Sequence, residues 1–275
     1  MSFERSQIAA DAGRLLAEVR RAAPLVQNIT NFVSMDVAAN VLLAIGASPA
    51  MVHAPEETPE FIRFARALVI NIGTLSKQWV DSMEVATTAA HTHGKPWVLD
   101  PVGAGATKFR DEAVAKLLRH RPSVIRGNAS EIMAVARVAG LTQAAAKPKG
   151  VDSSNTTSEA EELAMLLARH CLCTVAATGA VDFITDGARI VRLANGSPLM
   201  ARVTALGCSL SAVVGAFVGV SPDAFSGTVA AIAAYGVAGE MAAEHASRPG
   251  SFRTAFIDAL DAVSEADLHA RLKVV

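Results

Sequence analysis

The 275-residue chain predicts an α/β protein with a mostly parallel central sheet and helices on both faces. Three observations carry that prediction. Short apolar runs alternate with stretches at helical spacing, strand then loop then helix, and such a series implies crossovers and a parallel sheet. Several of the apolar runs show no alternation, the pattern of strands covered on both faces. Half the residues (51%) are hydrophobic but only 5% are aromatic, which suits helices packed closely on a sheet. With no internal repeat beyond this rhythm, the whole of 1–275 is expected to form one domain.

In order, residues 1–21 alternate charge with apolar residues at helical spacing and lack the unbroken core of a signal peptide, so an ordinary first helix is expected. Residues 24–31 read as a short strand entering a polar loop, 33–45 as a helix, and 50–52 as a second strand after the breaker Gly46-Ala47-Ser48-Pro49. Residues 55–65 should be loop and helix. The unbroken run 67–73 is a strand, and 75–93 its helix. A strand within 95–100 then delivers Asp100 into the Gly-rich run 103–107, before a helix at 111–120. Residues 123–128 form a strand ending in Arg126-Gly127-Asn128, with a helix at 129–138 behind it. The polar interruption 141–157 is expected to be a loop within one domain, and Ser158 with Glu161 has the capping-box spacing that starts a helix reaching His170. Residues 173–179 are strand, 182–185 and 188–193 a hairpin around Asp186-Gly187 at an antiparallel edge, and 222–246, 252–263 and 265–272 helices.

Composition excludes several classes of function. Formal net charge is −1 with both signs interspersed, so no basic footprint for nucleic acid or an anionic membrane exists. Three cysteines, Cys171, Cys173 and Cys208, make no disulfide framework and favour the cytosol. Segment 203–220 is apolar but broken by Thr204, Ser209 and Ser211, and reads as a buried helix, not a membrane span.

That segment also holds the densest chemical signal. Gly207 makes the turn and Cys208 stands at the helix start, where unpaired N–H groups and the helix dipole favour an anion and lower a thiol pKa. Gly with a buried Cys serves plain packing equally well, so the rest of the chain decides. Strand ends should bring Asn28, Thr30, Asp100, Arg126 and Thr178 to the same sheet edge. Asp100 and Glu131 suit Mg²⁺, which takes few carboxylates plus phosphate oxygens, and Arg126 suits phosphate; caps and surface salt bridges use the same residue types. The run 103–107 matches neither a P-loop nor a dinucleotide fingerprint, the seven histidines show no metal-ligand spacing, and no G-x-S-x-G elbow occurs.

Five ordered motifs, QNITNFVSMDVAANVLLAIGASPAMVHA, LVINIGTLS, LDPVGAGAT, IRGNASEI and the turn at 204–208, resemble those of hydroxyethylthiazole kinases over residues 27–219. The resemblance implies a ribokinase-like three-layer sandwich. It also implies transfer of the ATP γ-phosphoryl group to the hydroxyl of 4-methyl-5-(2-hydroxyethyl)thiazole in thiamine biosynthesis or salvage, with Mg²⁺, by a homotrimer whose active sites lie between subunits. Carried over by position, it implies that Met51, Asn28 and Gly207 bind the thiazole, Arg126 and Thr178 the nucleotide, Asp100 and Glu131 the metal, and that Gly207 and Cys208 form the catalytic turn. Many family members read Thr-Gly-Ala-Gly-Cys where this chain has Thr204-Ala205-Leu206-Gly207-Cys208, so a turn needing positive φ at Ala205 is in question. Kinases for a hydroxymethylpyrimidine or pyridoxal, and a non-catalytic thiazole-sensing trimer, are the alternatives.

Overall fold

The computed structural model describes residues 4–141 and 153–275, with side chains from residue 158 in the second span. The chain opens with helix α1 (Arg5–Ala22), whose buried stripe Ile8, Ala12, Leu15, Leu16 and Val19 recurs at helical spacing. Then come β1 (Leu25–Ile29), α2 (Met35–Ile45), β2 (Ser48–Ala50), α3 (Thr58–Phe61), β3 (Ala67–Asn71), α4 (Lys77–Thr92) and β4 (Trp97–Asp100). The middle holds α5 (Lys108–Leu118), β5 (Val124–Asn128), α6 (Ala129–Val138), α7 (Ser153–Cys171), β6 (Thr174–Thr178), β7 (Asp182–Thr185) and β8 (Ile190–Leu193). Helices α8 (Leu206–Val218), α9 (Ala224–His245), α10 (Pro249–Ala262) and α11 (Glu265–Arg271) close the chain.

The eight strands form one sheet in the order β2-β1-β3-β4-β5-β6-β7-β8. Pairing is parallel from β2 through β6 and antiparallel for β7 and β8, as the hairpin reading expects. Two apolar layers sandwich the sheet: one is supplied mainly by α1, α2, α8, α9 and α10, the other by α4 to α7. Every residue of β3 is buried, which is why its sequence shows no alternation.

The sheet reverses its winding at β1. The chain leaves β1 through α2 to pair β2 on one side, then returns to pair β3 on the other, so a crevice opens beyond the carboxyl ends of β1 and β3. Helix α8 packs on the sheet face beside that crevice, on the α2 side: a Cβ on Gly215 would stand 2.6 Å from a Val69 methyl of β3. Close approach at this one glycine presses α8 onto the strands and aims its first turn at their ends.

Several boundaries differ from expectation. The second strand is Ser48–Ala50 and not 50–52, because parallel pairing with Leu25, Val26 and Gln27 takes in Ser48 and Pro49, and α5 and α10 each start three residues early, at Lys108 and Pro249. Helix α7 begins at Ser153, so Ser158 is interior and not an N-cap, and the expected loop 141–157 ends earlier; residues 142–152 of it lie outside the described residues. Asn28 lies inside β1, paired with Val69, and not in the polar loop that follows. Among the described residues no helix is long and apolar enough to cross a membrane.

Candidate active site

Helix α8 starts from Ala205, which takes the left-handed conformation (φ 67, ψ 0) despite its Cβ. The first N–H with an acceptor in that turn belongs to Ser209, which donates to Ala205 O at 2.8 Å. The N–H groups of Leu206, Gly207 and Cys208 are the ones a helix start leaves free, where the dipole is positive. The turn is anchored from behind: Tyr235 Oη donates to Leu206 O (2.7 Å) and lies 2.8 Å from Ser209 Oγ, all buried.

A chain of hydrogen bonds joins the Cys208 thiol to the end of β4. Asn31 Nδ2 donates to Cys208 Sγ (3.3 Å) and to Asn71 Oδ1 (2.8 Å), Asn71 Nδ2 donates to Asp100 Oδ2 (2.7 Å), and Ser211 Oγ of α8 donates to the same oxygen (2.8 Å). Asp100 is 1% exposed and its Oδ1 has no protein partner among the described residues. Burial pushes its carboxyl up to about 6, against the pull of Arg126 4.0 Å away. Burial also raises the Cys208 thiol, reinforced by the Asp100 charge and opposed by Asn31 and Asn71. The sequence expectation of a thiol lowered by the helix dipole is thus overturned, because dehydration and a neighbouring carboxylate both disfavour the thiolate.

Arg126, in β5, spans the site. Its Nη1 donates to Gly207 O (2.8 Å), its Nη2 to Thr178 Oγ1, and its Nε is buried without a protein acceptor among the described residues. A Cβ on Gly207 would stand 3.4 Å from Nη1, an ordinary contact, so the guanidinium lies directly against this residue. Arg126, Thr178 and Gly207 line a cavity of about 650 Å³ together with Asn128, Asp182, Asn195, Met200 and Tyr235. Asp182, which no sequence signal singled out, has its carboxyl pushed up to about 6 by burial, opposed by the Gly179 N–H and Arg126.

The remaining expected residues are placed less simply. Both Glu131 oxygens accept backbone N–H groups, from Gly103 (2.9 Å) and Asn128 (2.8 Å), the second completing the capping box that starts α6. Gly105 N–H is taken by Asp111 Oδ1 at 2.7 Å, so the Gly-rich run spends these N–H groups on its own carboxylates and forms no phosphate cradle. Met51, just after β2, is half-buried, and Asn28 Nδ2 turns back to Val26 O (2.9 Å); neither lines the cavity. Sequence reading missed Asn31, Asn71 and Ser211, and also Arg110, whose guanidinium donates to the carbonyls of Ile72, Gly73 (2.6 Å) and Val102 (2.6 Å) and so ties the loops after β3 and β4 together. Among the described residues no group of three or more His, Cys, Asp or Glu is placed to hold a metal.

A family model described as "Hydroxyethylthiazole kinase family" matches residues 16–266. The chain belongs to the hydroxyethylthiazole kinase family. A hydroxyethylthiazole kinase of Rhizobium johnstonii is 54% identical over 263 residues, covering 95% of this chain and 96% of that protein. The solved hydroxyethylthiazole kinase of Pyrococcus horikoshii superposes with a TM-score of 0.88 at 44% identity, covering 96% of this chain and 98% of the other. A pyridoxal kinase of Staphylococcus aureus, solved with AMP-PCP and pyridoxal, superposes over 79% of this chain and 88% of its own with a TM-score of 0.56 at 13% identity, a likeness of fold alone. The three-layer, ribokinase-like architecture of this hydroxyethylthiazole kinase family member is therefore as the sequence resemblance implies.

Proposed function

We propose that the chain transfers the γ-phosphoryl group of ATP to the hydroxyl of 4-methyl-5-(2-hydroxyethyl)thiazole, a step of thiamine biosynthesis or salvage in the cytoplasm. One juxtaposition carries the reading: the free N–H groups of α8, the Cys208 thiol and the Asp100–Arg126 pair converge on a single point beside a cavity of about 650 Å³. Membership of the family, and likeness over nearly the whole chain to hydroxyethylthiazole kinases, support the same activity.

In this reading the nucleotide occupies that cavity, with its phosphates toward Arg126 and Thr178. The buried, unpartnered Nε of Arg126 offers a charge-assisted donor to a phosphate oxygen. Mg²⁺ fits the donor set: Asp100 would hold it through the orphaned Oδ1, and Glu131, whose oxygens already accept two N–H groups, through water. When bound, the ion neutralises charge on the phosphates. Leu206, Gly207 and Cys208 direct their N–H groups at the transferring phosphoryl group and stabilise the charge that develops there.

Cys208 is a neutral thiol near neutral pH, because its titration lies above the ordinary range. Its part is to orient the substrate hydroxyl by hydrogen bonding, with Asn31 fixing the sulfur, and a loose transition state asks for little prior deprotonation. Met51, adaptable and half-buried, suits the face of a thiazole ring, and Asn28, in β1, keeps a buried Oδ1 with no partner among the described residues. Phe32 and Val33, in the separate loop between β1 and α2, are 69% and 56% exposed, an apolar surface that a neighbouring copy in a homotrimer would cover while completing the thiazole pocket.

The test is ATP consumption by the purified protein with three alcohols offered separately: the thiazole, a hydroxymethylpyrimidine and pyridoxal. Turnover is expected with the thiazole, with kcat/KM at least about 100-fold above the other two. Preference for either other alcohol, or no turnover with any, rejects the assignment.

A further inference from the structure

One wall of the cavity, residues 194–201, leaves β8 and runs to the start of α8 with no regular structure before the short turn Met200–Arg202. Its own backbone therefore does little to hold it in place. Two outside supports do. From α9, Gly236 and Gly239 lie three residues apart on one helical face. A Cβ on Gly236 would stand 2.8 Å from Asn195 Cβ, and one on Gly239 would stand 2.5 Å from Met200 Sδ. The wall thus rests directly on bare helix backbone.

The second support is the end of the chain. Beyond α11, Leu193 bridges to Val274 in antiparallel fashion, Ala194 N–H donates to Lys273 O (2.9 Å) and Val275 N–H donates to Arg192 O (3.2 Å). Asn195 is where these contacts meet, and it is only 8% exposed. Its Nδ2 donates to Glu240 Oε1 (3.0 Å) and to Arg271 O (2.9 Å), while its Oδ1 accepts the Lys273 N–H (2.7 Å). The same Glu240 oxygen accepts the Gly196 N–H (3.2 Å) and Lys273 Nζ (2.8 Å). Both amide protons and the carbonyl of Asn195 are satisfied by groups outside the cavity it lines.

We propose that Asn195, held by Glu240 and by residues 271–275, is a positioning residue for the nucleotide: the last residues of the chain set where the 194–201 wall stands, and through it the affinity for ATP, without touching ATP. The proposal rests on the reading that the cavity takes ATP. Removing residues 273–275 leaves the nearly buried Asn195 Oδ1 without its Lys273 N–H and Glu240 without the Lys273 ammonium, and such groups seek other partners, the cavity's included. A wall that must then be ordered when ATP binds lowers nucleotide affinity by the cost of that ordering. The thiol and Asp100 side of the site shares none of these bonds, since it is tied through Asn31, Asn71, Ser211 and Arg110. The effect therefore falls on ATP and not on the alcohol.

The test compares the full chain with a deletion of residues 273–275 and with Asn195→Ala, Glu240→Leu and Glu240→Gln. Circular dichroism checks that each is folded, calorimetry gives the ATP Kd, and steady-state kinetics gives kcat and both KM values. The deletion, Asn195→Ala and Glu240→Leu are expected to raise ATP Kd and KM about tenfold, which corresponds to one strong hydrogen bond's worth of affinity, with kcat and thiazole KM within about twofold. Glu240→Gln keeps an acceptor oxygen and is expected to stay within about twofold throughout. Should the deletion not fold, the three point variants decide the matter alone. Folded variants that bind ATP as the full chain does, or that lose kcat and both affinities alike, overturn the positioning role while leaving the nucleotide reading intact. A full chain that binds no ATP by calorimetry overturns the nucleotide reading, and this proposal with it.

Discussion

Replacing Asp100 by Asn is expected to make the metal-free protein more stable and almost inactive. The carboxyl is 1% exposed, and burial carries its titration from 3.8 to about 6. At 1.36 kcal/mol per tenfold change in proton affinity, keeping it ionised in the folded state costs about 3 kcal/mol at neutral pH. An Asn at this position keeps an oxygen for Ser211 Oγ and Asn71 Nδ2, and gives up only the 4.0 Å pairing with Arg126. Some of the gain is lost to that pairing and to an amide group without an acceptor, so the net expectation is about 1–3 kcal/mol, or a Tm higher by roughly 3–8 °C for a chain of this length. The pH dependence identifies the cause. A folded-state value above the unfolded one means that the stability is fully present below pH ~4, is lost as pH rises through ~6, and is constant above ~7. The assay is thermal melting in a chelator from pH 4.5 to 8, beside the kinase assay, in which activity should fall roughly 100-fold or more. A variant that melts at or below the wild type at pH 7.5, or a difference in Tm that does not shrink toward pH 4.5, would refute the reasoning.

Three further outcomes follow from the same geometry. Arg126→Ala, which removes a cation with a free buried donor, should raise ATP KM by about 10–100-fold with a smaller effect on thiazole KM, and an unchanged ATP KM would remove Arg126 from the nucleotide site. Cys208→Ala should lower kcat by roughly tenfold yet leave measurable turnover, Cys208→Asp should be active, and the native thiol should react with iodoacetamide at pH 7.5 more slowly than free cysteine because its titration is raised; a folded but dead Cys208→Asp protein would reject the orienting role. Ala205→Gly should relieve about 1–2 kcal/mol of left-handed strain while adding about 0.5–1 kcal/mol of unfolded-chain freedom, for a small net gain in chemical-denaturation stability with activity intact, whereas a clear loss of stability would show that the Ala methyl is needed.

Much of the architecture was legible in the sequence, for local reasons. The unbroken run in β3 announced burial on both faces, and the helix expected at 129–138 is α6 to the residue, its start fixed by the Asn128–Glu131 capping box, a local code present in the sequence but read there only at Ser158 and Glu161. The same code misled at Ser158 and Glu161: the spacing was right, but the preceding turn of α7 already continues the helix from Ser153. Strand ends placed Asp100, Arg126 and Thr178 correctly at one edge. Their wiring was not legible. Asn31 to Cys208 spans 177 positions and Asp100 to Ser211 spans 111, and a lone Asn or Ser gives no sign of such a partner. The direction of the Cys208 titration failed for the same reason, since the helix dipole is read from neighbours in the chain whereas dehydration and the Asp100 charge come from across the sheet. The left-handed Ala205 and the reach of the C-terminus to Asn195 depend likewise on the completed fold.

The grip of Arg110 on the carbonyls of Ile72, Gly73 and Val102 has a dynamic consequence. A planar cation bonded to two loops at once makes them move as one body, and those loops flank Asn71 and Asp100. The freedom they would otherwise have is surrendered when the chain folds, so an arriving substrate meets this side of the cleft already at rest. Whatever opening and closing accompanies a catalytic cycle then falls to the opposite bank, and hydrogen exchange is expected to be slow at Ile72 and Gly73 and faster across 194–201.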